Sequence, residues 1–162
     1  MRILIFLTLV LFLGACQQYS FDEKKEINEE KWSYKDSLEF EFEVTDIEKV
    51  YNIYLEVKHQ SDFLYQNIYT MVQVQFPDGK ERKQQVSLEL ADGKGEWQGK
   101  CSGKYCTRRM SFMPNAVFDQ KGKYRLKFNQ FTRQETIEGI QSFRLIVEKT
   151  ETAKEDNNKK KL

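Results

Sequence analysis

The chain has 162 residues, with 26 Lys+Arg against 25 Asp+Glu. Arg2 is the only charge among positions 1–15, so the remainder carries 25 charges of each sign, which excludes the clustered positive field that nucleic-acid binding relies on. A single histidine excludes a His-rich metal site, two prolines exclude a polyproline or collagen-like chain, and 12 Phe, 8 Tyr and 2 Trp point to one domain with a packed core.

Met1-Arg2 is a short positive start, and Ile3 to Leu13 is an apolar run broken only by Thr8. The run is too short for a bilayer core that needs about 20 residues, but it suits the hydrophobic region of a signal peptide. Leu13-Gly14-Ala15-Cys16 follows and resembles the lipobox of bacterial lipoproteins. That resemblance implies a signal peptide over 1–15, cleavage before Cys16, and acylation (palmitate and related chains) of its thiol and of the new amino terminus. At about 0.8 kcal/mol per buried methylene, several acyl chains hold a protein firmly to a membrane. An ordinary signal peptide and an uncleaved anchor are the alternatives. By resemblance to proteobacterial lipoproteins, Gln17 in place of an acid implies the outer membrane.

Residues 16–35 read as a lipid-anchored tether of mixed charge, with Trp32 and Tyr34 docking its end on the fold. Acids here also suit a surface-export signal. From Leu38 the period is two: Leu38, Phe40, Phe42 and Val44 alternate with Glu39, Glu41 and Glu43. Tyr51 to Lys58, Asn67 to Phe76 and Val86 to Leu90 continue as strands, separated by Asp46–Lys49, Gln60–Asp62 and the Pro77-Asp78-Gly79-Lys80 turn. After Asp92-Gly93-Lys94-Gly95, Met110 to Val117 reads as a short irregular strand interrupted by Pro114. Lys123 to Phe131 and Phe143 to Glu148 are further strands, with a loop over 132–139. The pattern predicts an all-β body over 36–149, an antiparallel β-sandwich of about seven or eight strands, with a closed barrel as the alternative. Residues 150–162 read as a disordered Lys-rich tail.

With Cys16 assigned to lipid, Cys101 and Cys106 remain as a pair flanking Ser102-Gly103-Lys104-Tyr105. A disulfide closing a hairpin and two free thiols both stay open; a zinc site lacks the other ligands. His59, at a strand end, has no assignable Ser or Cys partner and reads as a polar edge residue. Glu39, Glu41 and Glu43 read as a solvated face that blocks edge pairing. Asp78 and Asp92 fit turns better than calcium. Tyr51, Tyr54, Tyr65, Tyr69, Trp97 and Tyr105 suggest a sugar-stacking platform as an alternative to sheet packing. No nucleophile elbow, phosphate loop or metalloprotease motif occurs, so no enzyme, metal or cofactor is expected.

Several short motifs, in order, resemble the GldH family, the gliding-motility lipoproteins of Bacteroidetes. They are Trp32 with Lys35-Asp36-Ser37, Tyr51-Asn52-Ile53-Tyr54, Tyr65-Gln66-Asn67-Ile68, Phe76-Pro77-Asp78-Gly79, Leu90-Ala91-Asp92 through Gly95-Glu96-Trp97-Gln98-Gly99, Gly122-Lys123-Tyr124, Gln130 with Arg133, and Glu138-Gly139-Ile140. The Cys101–Cys106 loop, Ser142-Phe143 and the Lys-rich tail depart from that pattern. The resemblance implies a non-enzymatic part of the envelope gliding machinery, linked to type IX secretion, whose partners are other envelope proteins. The turns Phe76, Pro77, Asp78, Gly79 and Asp92, Trp97, Gly99 are the expected contacts. An envelope glycan-binding lipoprotein is the alternative.

Overall fold

The computed structural model describes residues 19–153. In chain order the described residues form β1 (Tyr19–Glu26), a 3-10 turn (Asn28–Glu30), β2 (Lys31–Ser33), β3 (Ser37–Val44), β4 (Lys49–Gln60), β5 (Asn67–Gln75), β6 (Glu81–Glu89), β7 (Lys100–Ser102), β8 (Tyr105–Ala116), β9 (Gly122–Gln130), β10 (Thr136–Glu138) and β11 (Ile140–Ala153). Two sheets, ordered β1-β11-β4-β8-β7 and β3-β9-β5-β6, carry the fold, and β2 pairs with β10 in a third small one. All pairings are antiparallel. The protein is an all-β, sandwich-like arrangement of antiparallel sheets.

Period-two patterning fixes which face each strand buries. In β3, Leu38, Phe40, Phe42 and Val44 are buried while Glu39, Glu41 and Glu43 are exposed. The exposed acids meet bases directly across the sheet: Glu39 opposes Lys127, Glu41 opposes Arg125 and Glu43 opposes Lys123. The inner faces meet through rings. Phe128 of β9 lies 6.2 Å from Phe143 of β11 and 5.5 Å from Phe112 of β8, and Phe42 lies 6.1 Å from Phe21 of β1. Burying each such side chain contributes roughly 1.5–3 kcal/mol before entropy is charged against it.

Four features differ from the sequence reading. Residues 19–33, expected as tether, belong to the fold: β1 pairs with β11, and β2 pairs with β10 so that Trp32 opposes Ile137. Trp32 is fully buried, 4.8 Å from the Phe143 ring, and its Nε1 donates to the Asp36 carbonyl at 2.8 Å. Phe21 is the sole apolar member of β1, so the segment resembles solvated chain; pairing to β11 and charge contacts make it a strand. The loop over 132–139 contains β10, and β8 extends from Tyr105, well before Met110. β11 continues to Ala153, into the expected tail; residues 154–162, like residues 1–18 with Cys16, lie outside the described residues.

These differences make a prediction. A chain begun at Asp36 lacks β1 and Trp32 and is expected to fail to fold. In the full chain, Trp32→Ala is expected to cost about 3–5 kcal/mol, read from the denaturant midpoint. A cost below about 1 kcal/mol would return residues 16–35 to the role of a tether.

Candidate interaction surface

The outer face of the larger sheet is an ion-pair network. Arg144 of β11 forks onto Asp22 of β1, at 2.6 and 2.5 Å, and reaches Glu56 of β4 at 3.3 Å. Arg109 of β8 bonds Glu148 at 3.1 Å and lies 4.3 Å above the Tyr54 ring. The Arg144 hydrogen bond holds the Asp22 carboxyl below its ordinary pKa. On the other sheet Lys127 does the same for Glu39. These carboxylates are engaged in holding strands together.

One end of the sandwich gathers the loops after β4, β6 and β9 and the β7–β8 hairpin. His59, the penultimate residue of β4, is fully buried there, which corrects its reading as a polar strand-edge residue. Its ring lies 4.5 Å from Trp97 and 5.7 Å from Phe63. Nδ1 donates to the Gln60 carbonyl at 2.8 Å, and the buried Nε2 has no hydrogen-bond partner among the described residues. Burial pushes its pKa down. Opposite His59 across the sheet stands Cys106, buried and joined by a disulfide to Cys101, its cross-strand neighbour on β7. Glu30 of the 3-10 turn accepts from the Tyr105 hydroxyl and the Gln60 amide, latching the segment after β1 to β4 and β8. The Tyr105 hydroxyl is the main cause of the lowered Glu30 pKa.

Beside this buried cluster lies a hollow of about 540 Å³. Phe63, Tyr65, Tyr69, Phe131 and Ile137 line it, with Arg133 at its edge. Tyr65, Tyr69 and Phe131 are 41, 46 and 50% exposed, and the neighbouring Leu64 is 86% exposed. β5 and β9 bring two of these together, because the Phe131 amide donates to the Tyr69 carbonyl at 2.8 Å. A second hollow, of about 520 Å³ around Phe76, Pro77 and Gly122, lies at the other end of the sandwich. Its charged members are paired: Glu41 bonds Lys123 at 2.9 Å and Arg125 at 3.0 Å.

The two turns expected as contacts lie at opposite ends of the sandwich. β5 runs nine residues, about 30 Å, between them. At the Phe76–Gly79 turn, Gly79 takes a φ of 82° and Asp78 caps the Lys80 amide. At the other, Asp92 accepts from the Lys94 and Glu96 amides, and Trp97 Nε1 donates to the Ser61 carbonyl at 2.9 Å. Gly99 is required by packing, since a Cβ there would overlap the Thr107 carbonyl. The six-ring sugar platform does not assemble. Tyr51 is buried, Tyr54 lies under Arg109, Tyr105 holds Glu30 and Trp97 packs on His59. Tyr65 and Tyr69 remain, and Phe131, which sequence reading missed, joins them. Its place just past the strand end gave no periodic signal.

Residues 19–145 match the family described as GldH lipoprotein. The chain belongs to this family. It is 30% identical over 136 residues to the gliding motility lipoprotein GldH homolog of Christiangramia forsetii, covering 83% of this chain and 82% of that protein. It is 23% identical over 143 residues to the gliding motility lipoprotein GldH of Flavobacterium johnsoniae, covering 81 and 89%. Among solved structures, the infectious bursal disease virus Gx strain matches at a TM-score of 0.36 and 10% identity, covering 83% of this chain and 33% of that one, too slight a likeness for argument. The chain is thus a gliding-motility lipoprotein of the cell envelope, anchored to a membrane.

Two predictions follow from the buried cluster of this GldH-family protein. The unfolded chain protonates His59 near pH 6.5 while the folded core resists its charge. The His59 contribution to stability is therefore complete above that pH and is lost as pH falls toward the depressed folded value, with a slope of up to about 1.4 kcal/mol per pH unit. Denaturation at about pH 7 and 5.5 is expected to show this loss, and His59→Phe is expected to remove it. Replacing the disulfide (Cys101→Ser with Cys106→Ala) is expected to cost about 2 kcal/mol, the loop-closure value for so short a ring.

Proposed function

We propose that this lipoprotein is anchored through Cys16 in the outer membrane and serves the gliding machinery, and the type IX secretion linked to it, as a non-enzymatic component that binds other envelope proteins. Family membership supports the gliding role. The observation that carries the binding role is the exposed group of Tyr65, Tyr69, Phe131 and Leu64 around one hollow. Exposed apolar patches rimmed by polar groups mark interaction sites, and tyrosines are favoured at interfaces. The occupant is an apolar side chain on a loop of another machinery protein. A sugar fits less well, because two of the polar residues lining the hollow are already engaged: the Asn67 amide donates to Ser87, and Thr132 bonds Gln130, which leaves fewer groups to hydrogen-bond a sugar. The Asp92–Gly99 turn stands at the same end and extends this contact; Phe76–Gly79 does not.

In this reading Cys16→Ser abolishes fatty-acid labelling, and retained label would refute the anchor. Tyr69→Ala with Phe131→Ala is expected to leave thermal stability nearly unchanged while losing co-purification with envelope partners and weakening gliding and secretion. Normal gliding in that variant, with binding lost on a glycan array, would establish the glycan-binding alternative instead.

A further inference from the structure

Three peptide units separate Cys16 from Tyr19, a reach of at most about 11 Å. Tyr19 lies opposite Glu148 of β11, which lies opposite Asn52 of β4. β4 starts three residues before that row, at Lys49, which pairs with Ala153. At about 3.3 Å per residue, these strand ends overhang Tyr19 by about 10 Å. The overhang thus equals the longest reach of the link.

We propose that the end of the sandwich at which β1 begins rests on the bilayer surface, with Val117 at the boundary between headgroups and acyl chains and the Tyr65, Tyr69 and Phe131 rings turned away. The inference rests on the Cys16 anchor. Loop 117–121 stands at the contacting end: Phe118 is buried against Tyr51 and Phe42, while Val117 is 50% exposed. Charges here have both signs, as in the Lys49–Glu151 and Lys80–Asp78 pairs. The short link imposes the contact, not attraction to lipid charge. The twelve residues of β4 then carry the ring-lined hollow about 35 Å from the surface. The Phe76–Gly79 turn faces the membrane, which leaves Asp92–Gly99 for a protein partner.

The test uses full-length lipidated protein in phosphatidylcholine vesicles with brominated acyl chains, which quench tryptophan on contact. Native Trp32 and Trp97 lie near the far end, through contacts with Phe143 and His59. Their emission is expected to match that in unbrominated vesicles. Val117→Trp is expected to add emission that bromination removes, and Leu64→Trp to add emission that it spares. Quenching of the Leu64→Trp signal, or an unquenched Val117→Trp signal in protein that floats with the vesicles, would overturn the orientation alone. Labelled wild-type protein that does not float would instead overturn the anchor.

Discussion

Pairing of β1 with β11 joins the start of the folded chain to its last strand, and other features depend on it. β11 lies between β1 and β4 and supplies Phe143, Leu145 and Val147 to the core. Without β1 its edge would be open, and Phe21 would leave Phe42. The same pairing sets Tyr19 level with Glu148, bringing the link from Cys16 to one defined end of the sandwich. A segment that looked like a flexible spacer thereby becomes a fixed attachment.

Charge is used in the same economical way. On the outer faces of both sheets, acids and bases meet in cross-strand pairs such as Glu39–Lys127 and Asp22–Arg144. Single exposed pairs contribute little, but Asp22, Arg144, Glu56, Arg109 and Glu148 form a network spanning β1, β11, β4 and β8. The network compensates for the scarcity of apolar residues in β1. On these faces the described residues carry charges of both signs side by side, not a field of one sign.

How far the sequence discloses the fold follows from where alternation survives. β3, β4, β5 and β9 bury one face and expose the other, so their strands are readable from residue types. β1 carries Phe21 among charges, and β2 and β10 are three residues each; pairing creates these strands, and pairing is not written in local periodicity. The site is less legible still. Phe63 and Tyr65 come from a loop, Tyr69 from the interior strand β5 and Phe131 from just past the end of β9, and only their convergence distinguishes them from ordinary packing residues. His59 shows the converse: a polar residue at a strand end is buried because Trp97 and Phe63 fold over it.

The two ends of the sandwich differ because of what each must do. At the end where β1 begins, Phe118, Tyr51, Phe42 and Tyr124 pack into one another, and Lys49–Glu151, Lys80–Asp78 and Lys123–Glu41 pair their charges. At the other, the disulfide, the Glu30 latch and the Trp97–Ser61 hydrogen bond fix the loops that surround exposed rings. Rigid loops lose little conformational entropy on association, so a modest apolar hollow can bind a partner that a mobile one could not. In the proposed reading the two ends divide the work: the lipid fixes where the domain stands, and the braced end fixes what it presents.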